Sequence, residues 1–207
     1  MNALKFWGDD YPLMNAYVDP DCLNEFRERV ITLHDEYKKF TAGEFLTRSY
    51  IFSGKYLTFA GALMFGNIIR VTATLNHEGK QVVIEAQNIW EAYTSLLPRL
   101  TSKLSSRCRK IYREAFINAL LFSEYNINNK INVTISSRPP KVLIDYPGII
   151  ASTTRNNRLK KIFELAGISW NKHDELDITL EQDALNLRVK ASFELEGPAE
   201  LPQPVIL

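Results

Sequence analysis

Apolar residues recur at helical spacing in the first quarter of the chain. Those that fall on one side of a helix are Leu23, Phe26, Val30, Leu33 and Tyr37. They predict a helix from about Cys22 to about Phe40, with the side chain of Asp21 as its N-cap. A second, short helix fits residues 43–51, next to a Ser-Gly turn. We therefore expect the chain to begin with a helical segment.

The pattern changes to strands in the middle of the chain. Residues 68–75 and 81–87 are rich in β-branched side chains and flank the turn-like sequence NHEG, which predicts two strands. A long helical pattern follows, first over residues 89–100 and then over residues 108–125, with a polar link between the two parts.

Short alternating segments fill the last third of the chain. Residues 130–136 alternate between polar and apolar side chains, and residues 141–145 form a second run after an Arg-Pro-Pro loop, which predicts a hairpin. Residues 155–166 have the apolar face of a helix, and we expect Gly167 to end it. A last hairpin is predicted within residues 176–195.

This order of elements predicts an α+β fold, in which helices cover a mixed or antiparallel sheet. We expect three parts along the chain. Residues 1–55 form an N-terminal helical segment, residues 56–195 form the main domain, and residues 196–207 form a proline-rich tail or linker.

Composition favours a globular protein and argues against a zinc protein or a membrane protein. Of 207 residues, 45% are hydrophobic, which suffices for a core, and the 25 basic and 24 acidic residues nearly cancel. Overall charge therefore gives no argument for nucleic-acid binding. Cys22 and Cys108 lie far apart and only three histidines are present, which argues against a zinc site. Without a signal peptide or an apolar run of 18 residues, we expect a soluble cytoplasmic protein that contacts no membrane.

Candidate chemistry is concentrated in residues 113–125, which read REAFINALLFSEY. Glu114 and Asn118 are four residues apart, so they share one face of the predicted helix. The carboxylate can orient or deprotonate an attacking water, and the amide oxygen can join the ligands of a Mg²⁺ ion. A solvated helix face is the alternative explanation of the same spacing.

The same segment resembles a motif of the RecG-like putative transcriptional regulators, a family related to ATP-dependent DNA helicases, which reads approximately REALVNALVHRDY. The matching residues are Arg113, Glu114, Ala115, Asn118, Ala119, Leu120 and Tyr125. Three more segments are similar to segments of that family in the same order: YLTFAGALMFG at residues 56–66, VLIDYPG at residues 142–148 and TRNNRL at residues 154–159.

The resemblance implies a GHKL-like ATPase fold, with ATP and Mg²⁺ as cofactors. It implies that Glu114 is catalytic, that Asn118 binds Mg²⁺, and that Asp145 and Gly148 belong to the nucleotide site. Strand alternation, however, directs Asp145 to the face opposite its neighbours. Members of the family usually carry an AlbA domain upstream and often a winged helix downstream, neither of which is visible in this sequence. The resemblance thus implies DNA as a partner, reached through such an AlbA or winged-helix domain. We also expect contacts between domains or a homodimer.

The sequence departs from the family pattern where phosphate binding is concerned. Tyr146 stands in place of the Asn before Pro-Gly, and a glycine-rich lid segment is replaced by GISWNKHDELDITL, so that the glycine after Gly167 is Gly197. Glycines let backbone N–H groups approach phosphates. We therefore predict a regulatory or scaffolding domain with a degenerate nucleotide pocket that has lost ATP hydrolysis. The alternatives are an active or nucleotide-binding ATPase domain and a nucleic-acid-binding module.

The third alternative depends on two basic clusters. Arg107, Arg109 and Arg113 form one cluster, and Arg155 and Arg158 belong to the other. On a helix such residues can form a stripe that contacts phosphates. A solvated helix face is the favoured explanation of each cluster, and only a shared surface would make nucleic-acid contact plausible.

Overall fold

The structure is a computed structural model that describes residues 18–77, 80–125, 130–148, 150, 156–171, 176–183 and 185–196. Its chain divides into two compact units. The first contains the described residues up to Ile68 together with residues 156–169, and the second contains the remaining described residues. Residue 55, where the sequence places its first boundary, lies within the first unit. The tail after residue 196 lies outside the described residues.

The first unit begins with helix α1, Pro20–Leu33. Its N-cap is Asp19, whose carboxylate accepts hydrogen bonds from the backbone N–H groups of Asp21 and Cys22. The prediction of Asp21 as the cap is therefore wrong by two residues, because Pro20 suits the first helical position and lets the helix begin earlier.

The predicted extension of α1 to Phe40 is also wrong. The helix ends at Leu33 and a 3₁₀ helix, Asp35–Lys39, follows it. Tyr37 stays on the apolar side, because its ring packs edge-on against the rings of Phe40 and Phe45. The apolar spacing therefore continues through two kinds of helix.

Four further elements complete the first unit before the chain enters the second. They are helix α2 (Ala42–Arg48), the two-residue strands β1 (Phe52–Ser53) and β2 (Tyr56–Leu57), and helix α3 (Phe59–Phe65). Every residue of α3 after Phe59 is buried. A Cβ atom on Gly61 would lie 2.5 Å from the carbonyl oxygen of Ile51, so this close approach requires glycine.

Helix α7, Asn157–Leu165, returns to the first unit from late in the chain. It ends as predicted at Gly167, which has a left-handed φ of +66°. The N–H groups of Gly167 and Ile168 donate to the carbonyl oxygens of Glu164 and Phe163, which is the Schellman arrangement. Arg29 and His34 then bond to the backbone at the end of α7.

The second unit is built on a six-stranded sheet in the order β4-β3-β5-β6-β8-β7. The strands are β3 (Arg70–His77), β4 (Lys80–Ala86), β5 (Lys130–Ser137), β6 (Pro140–Pro147), β7 (Thr179–Asp183) and β8 (Arg188–Glu194). β3 runs parallel to β5 and the other pairs are antiparallel. The mixed sheet with helices confirms the predicted α+β fold class.

The helical region between β4 and β5 provides the crossover that a parallel strand pair needs. It contains α4 (Ile89–Glu91), a π-helical turn (Ala92–Leu96), α5 (Leu97–Thr101) and α6 (Ser106–Phe122). Pro98 has no N–H group for the carbonyl of Thr94, which explains the widened turn. Within the described residues, no helix is both long enough and apolar enough to cross a bilayer.

Candidate functional site

Helix α6 carries the residues that the sequence singles out. It is capped by Ser105, whose hydroxyl accepts from the N–H of Cys108. Every residue from Glu114 to Phe122 is buried. Burial of a polar side chain in such a stretch costs free energy unless the side chain has a hydrogen-bond partner. The partners of Glu114 and Asn118 are therefore the first evidence on their role.

Both residues bind the backbone of Asn171. The Oε2 atom of Glu114 accepts from the Asn171 N–H at 2.8 Å, and the Nδ2 atom of Asn118 donates to the Asn171 carbonyl oxygen at 2.8 Å. Two side chains from one turn of α6 thus bind the N–H and the carbonyl oxygen of the same residue. We call this arrangement the Asn171 clamp. Asn171 itself is exposed, whereas Asn118 is fully buried and Glu114 is 5% exposed.

The second carboxylate oxygen of Glu114 is also engaged. Arg113 donates to Oε1 at 2.7 Å, and another nitrogen of the same guanidinium lies 3.5 Å from the hydroxyl of Tyr93. The Glu114 carboxylate therefore has one oxygen on a cation and the other on a backbone N–H. Both oxygens therefore already accept a hydrogen bond from the protein, and a water would have to share one of them.

The Oδ1 atom of Asn118 is buried and has no hydrogen-bond partner in the part of the chain that the structure describes. A buried amide oxygen without a partner is a hard oxygen ligand, and such oxygens suit Mg²⁺. Asn118 thus offers Mg²⁺ one buried oxygen, whereas both oxygens of the Glu114 carboxylate already accept hydrogen bonds from Arg113 and Asn171.

Asp145 lies on the other face of the sheet. Its neighbours Ile144 and Tyr146 are buried on the side where Phe193 of β8 contacts Tyr112 of α6. Asp145 instead accepts from Arg188 at 2.7 Å. The alternation expected from the sequence is therefore confirmed, and Asp145 does not join Glu114 and Asn118.

Gly148 follows β6 with a φ of +145°. Its N–H donates to the carbonyl oxygen of Leu187 at 2.7 Å, and its own carbonyl accepts from Gln182 at 3.2 Å. A Cβ atom on Gly148 would lie 3.2 Å from the carbonyl oxygen of Phe122, at the end of α6. This glycine allows the chain after β6 to pass close to that helix end.

Tyr146 occupies the position where the resemblance expects an Asn. Its side chain is 1% exposed, and burial raises the pKa of its phenol above the ordinary value. A buried phenol that stays neutral contributes packing at this point of the sheet.

The basic residues are engaged in different ways. Arg107 forms ion pairs of 3.1 Å with Asp177 and with Glu196, and Arg109 donates to the carbonyl oxygen of Leu104. Arg158 is in the first unit, whereas Arg107, Arg109 and Arg113 are in the second. Arg155 lies outside the described residues. Of the three predicted arginines in the second unit, Arg107 and Arg113 are paired with carboxylates.

A cavity of about 380 Å³ opens beside the first turn of α6. Its walls include Arg107, Cys108, Lys141, Ser192 and Phe193, together with the two carboxylates that bind Arg107. Sequence reasoning missed this cavity, because its walls come from four distant parts of the chain. Asn171 could not be predicted for a different reason. It binds through its N–H and carbonyl oxygen, and every residue except proline has both groups.

Comparison with known proteins supports the fold alone. No protein-family model matches the chain, and no curated protein matches it. The chain is similar in structure to the DIP2311 protein from Corynebacterium diphtheriae, with a TM-score of 0.70 and 16% sequence identity. The similarity covers 92% of this chain and 47% of that protein, so the chain spans less than half of its length.

Proposed function

We propose that the chain is a regulatory or scaffolding domain of a RecG-like transcriptional regulator, with a degenerate GHKL-type nucleotide pocket. The Asn171 clamp is the observation that carries this proposal. Glu114 and Asn118 are the residues that the family resemblance assigns to hydrolysis and to Mg²⁺, and both bind the main chain of this protein instead.

The energetics of the clamp support a structural role. The hydrogen bond from the Asn171 N–H to the buried, charged carboxylate of Glu114 contributes about 1.5–3 kcal/mol. The ion pair with Arg113, whose side chain is 31% exposed, contributes at most about 1 kcal/mol. These contacts fix the orientation of the carboxylate and compete with water for its oxygens. The glycine-poor sequence after Gly167 also lacks the flexible backbone that phosphate loops use.

The test is calorimetry with ATP and Mg²⁺ on the purified chain, together with an assay of phosphate release. We expect no turnover above that of a Glu114→Ala control, which reports any contaminating ATPase. Steady phosphate release by the wild-type chain, abolished in Glu114→Ala, would overturn the proposal.

A second candidate function, nucleotide binding without hydrolysis, is favoured by one specific feature. The Oδ1 atom of Asn118 is buried and has no hydrogen-bond partner among the described residues. Mg²⁺ bound with ATP would supply a cation for that oxygen. Binding that is detected with Mg–ATP but lost in Asn118→Leu, a variant of similar volume, would favour this candidate.

The proposal includes a setting for the domain. It acts in the cytoplasm, it reaches DNA through an AlbA or winged-helix domain of the same regulator, and it works through contacts between domains or as a homodimer. Light scattering on the purified chain tests the last point, and a monomer at every concentration would remove the homodimer from it.

A further inference from the structure

The Asn171 clamp consists of two buried side chains and one exposed residue. Asn171 is exposed, yet its N–H and carbonyl oxygen are bound to Glu114 and Asn118, which are almost fully buried. The side chain of Asn171 takes no part in either bond. The backbone of one surface residue therefore binds the two buried polar side chains of α6.

We infer that the Asn171 backbone is an autoinhibitory contact, which occupies the nucleotide-binding face of α6 and must be released before Mg–ATP can bind there. This inference rests on the second candidate function, because it concerns the regulation of that same site. The competition is direct, since the N–H of Asn171 binds the carboxylate that the family resemblance assigns to hydrolysis.

The contact is weak enough to open reversibly. It consists of two hydrogen bonds, one of them to the charged carboxylate of Glu114. The partner in both bonds is the backbone of Asn171, which is an exposed residue. Contacts of this kind are weak enough for a bound ligand to open them. The apparent Kd for the nucleotide would then be the intrinsic Kd divided by the fraction of molecules in which the contact is open.

The test uses two substitutions at the same position. Asn171→Pro removes the N–H that binds Glu114, and neither pocket residue is altered. Asn171→Ala is the matched control, because it keeps the N–H and the carbonyl oxygen and changes only an exposed side chain. Titration calorimetry with ATP and Mg²⁺ is carried out on the wild-type chain and both variants, with circular dichroism as the check on folding.

We expect Asn171→Pro to bind Mg–ATP at least about tenfold more tightly than the wild-type chain, and Asn171→Ala to match the wild type. A folded Asn171→Pro variant with unchanged affinity, or with no detectable binding, would overturn the inference. If the proline variant does not fold, hydrogen exchange decides. Faster exchange of the Asn171 amide in the wild-type chain at saturating Mg–ATP supports the contact as a switch, and unchanged exchange overturns it.

The two proposals fail in different ways. Phosphate release by the wild-type chain overturns the degenerate pocket, whatever the affinities of the variants. Equal affinities across the three proteins overturn the autoinhibitory contact and leave the degenerate pocket intact.

Discussion

Replacement of Glu114 by alanine tests the physical basis of the site directly. The side chain of Glu114 is 7% exposed and binds two partners. Its loss leaves the Asn171 N–H without an acceptor, which costs about 1–3 kcal/mol. The side chain of Arg113 is 31% exposed and can turn to water, so the lost ion pair costs at most about 1 kcal/mol. We expect Glu114→Ala to lower the free energy of unfolding by about 2–3 kcal/mol.

Two control variants separate the contributions to that loss. Glu114→Gln keeps an acceptor for the Asn171 N–H and removes the charge, so we expect it to lose less than half as much stability as the alanine variant. Glu181→Ala, on an exposed position of β7, should change stability by less than about 0.5 kcal/mol.

The assay is urea unfolding followed by fluorescence, with hydrogen exchange at Asn171 as a local readout. We expect the Asn171 amide to exchange faster in Glu114→Ala than in either control. A free energy of unfolding of Glu114→Ala within about 0.5 kcal/mol of the wild-type value would refute this expectation. It is also refuted if glutamine is as damaging as alanine, because an acceptor would then make no difference.

Three further predictions concern the first unit. Gly61→Ala should destabilise the protein by about 2–3 kcal/mol, because its Cβ would meet the carbonyl oxygen of Ile51 at 2.5 Å; a loss below that of Gly167→Ala in thermal melts would contradict this. Gly167→Ala should cost about 1–2 kcal/mol, because alanine is strained at a φ of +66°. Gly43→Ala is the control, since it meets nothing within 4 Å in a helix, and it should stabilise slightly. The backbone hydrogen bond at the start of α2 lowers the pKa of Glu44 below 4.5, so its contribution is present above that value and is lost as pH falls through the lowered pKa. Urea midpoints near pH 6 and near pH 3 test this, and an identical pH dependence in Glu44→Gln would refute it.

The sheet was predictable from the sequence because its strands follow local rules. The two strands around NHEG and the hairpin after residue 129 appear close to their predicted bounds. Alternation also placed Asp145 on the face opposite Tyr146. In these segments a single property, the period of two, determines both the element and the burial of its side chains.

The helix ends were harder to predict, because caps depend on backbone geometry rather than on periodicity. The pattern through Tyr37 gives no sign that α1 ends at Leu33. Gly167 was predictable, because a left-handed residue at a helix end is usually glycine. The choice of Asp19 over Asp21 as cap depends on which residue has an extended backbone, and both are aspartates.

The site was predictable only in part. The helical period brings Glu114 and Asn118 together, and the structure shows both on one buried turn of α6. Their partner could not be predicted, because Asn171 lies 53 residues beyond Asn118 and binds through its main chain. Which pairs of distant segments meet is decided by tertiary packing, and local sequence carries little information about it.

The return of α7 to the first unit has a consequence for the synthesis of the protein. Arg29 donates to the carbonyl oxygen of Ala166, which is 137 residues further along the chain. At ordinary rates of translation, about 7 to 27 s separate the emergence of these two residues. During that interval α1 lacks its contact with the end of α7, while strands β3 to β6 of the second unit emerge between them. The ribosome thus delivers four of the six strands of the sheet between two parts of the first unit, and Arg29 reaches its partner only after those strands have been made.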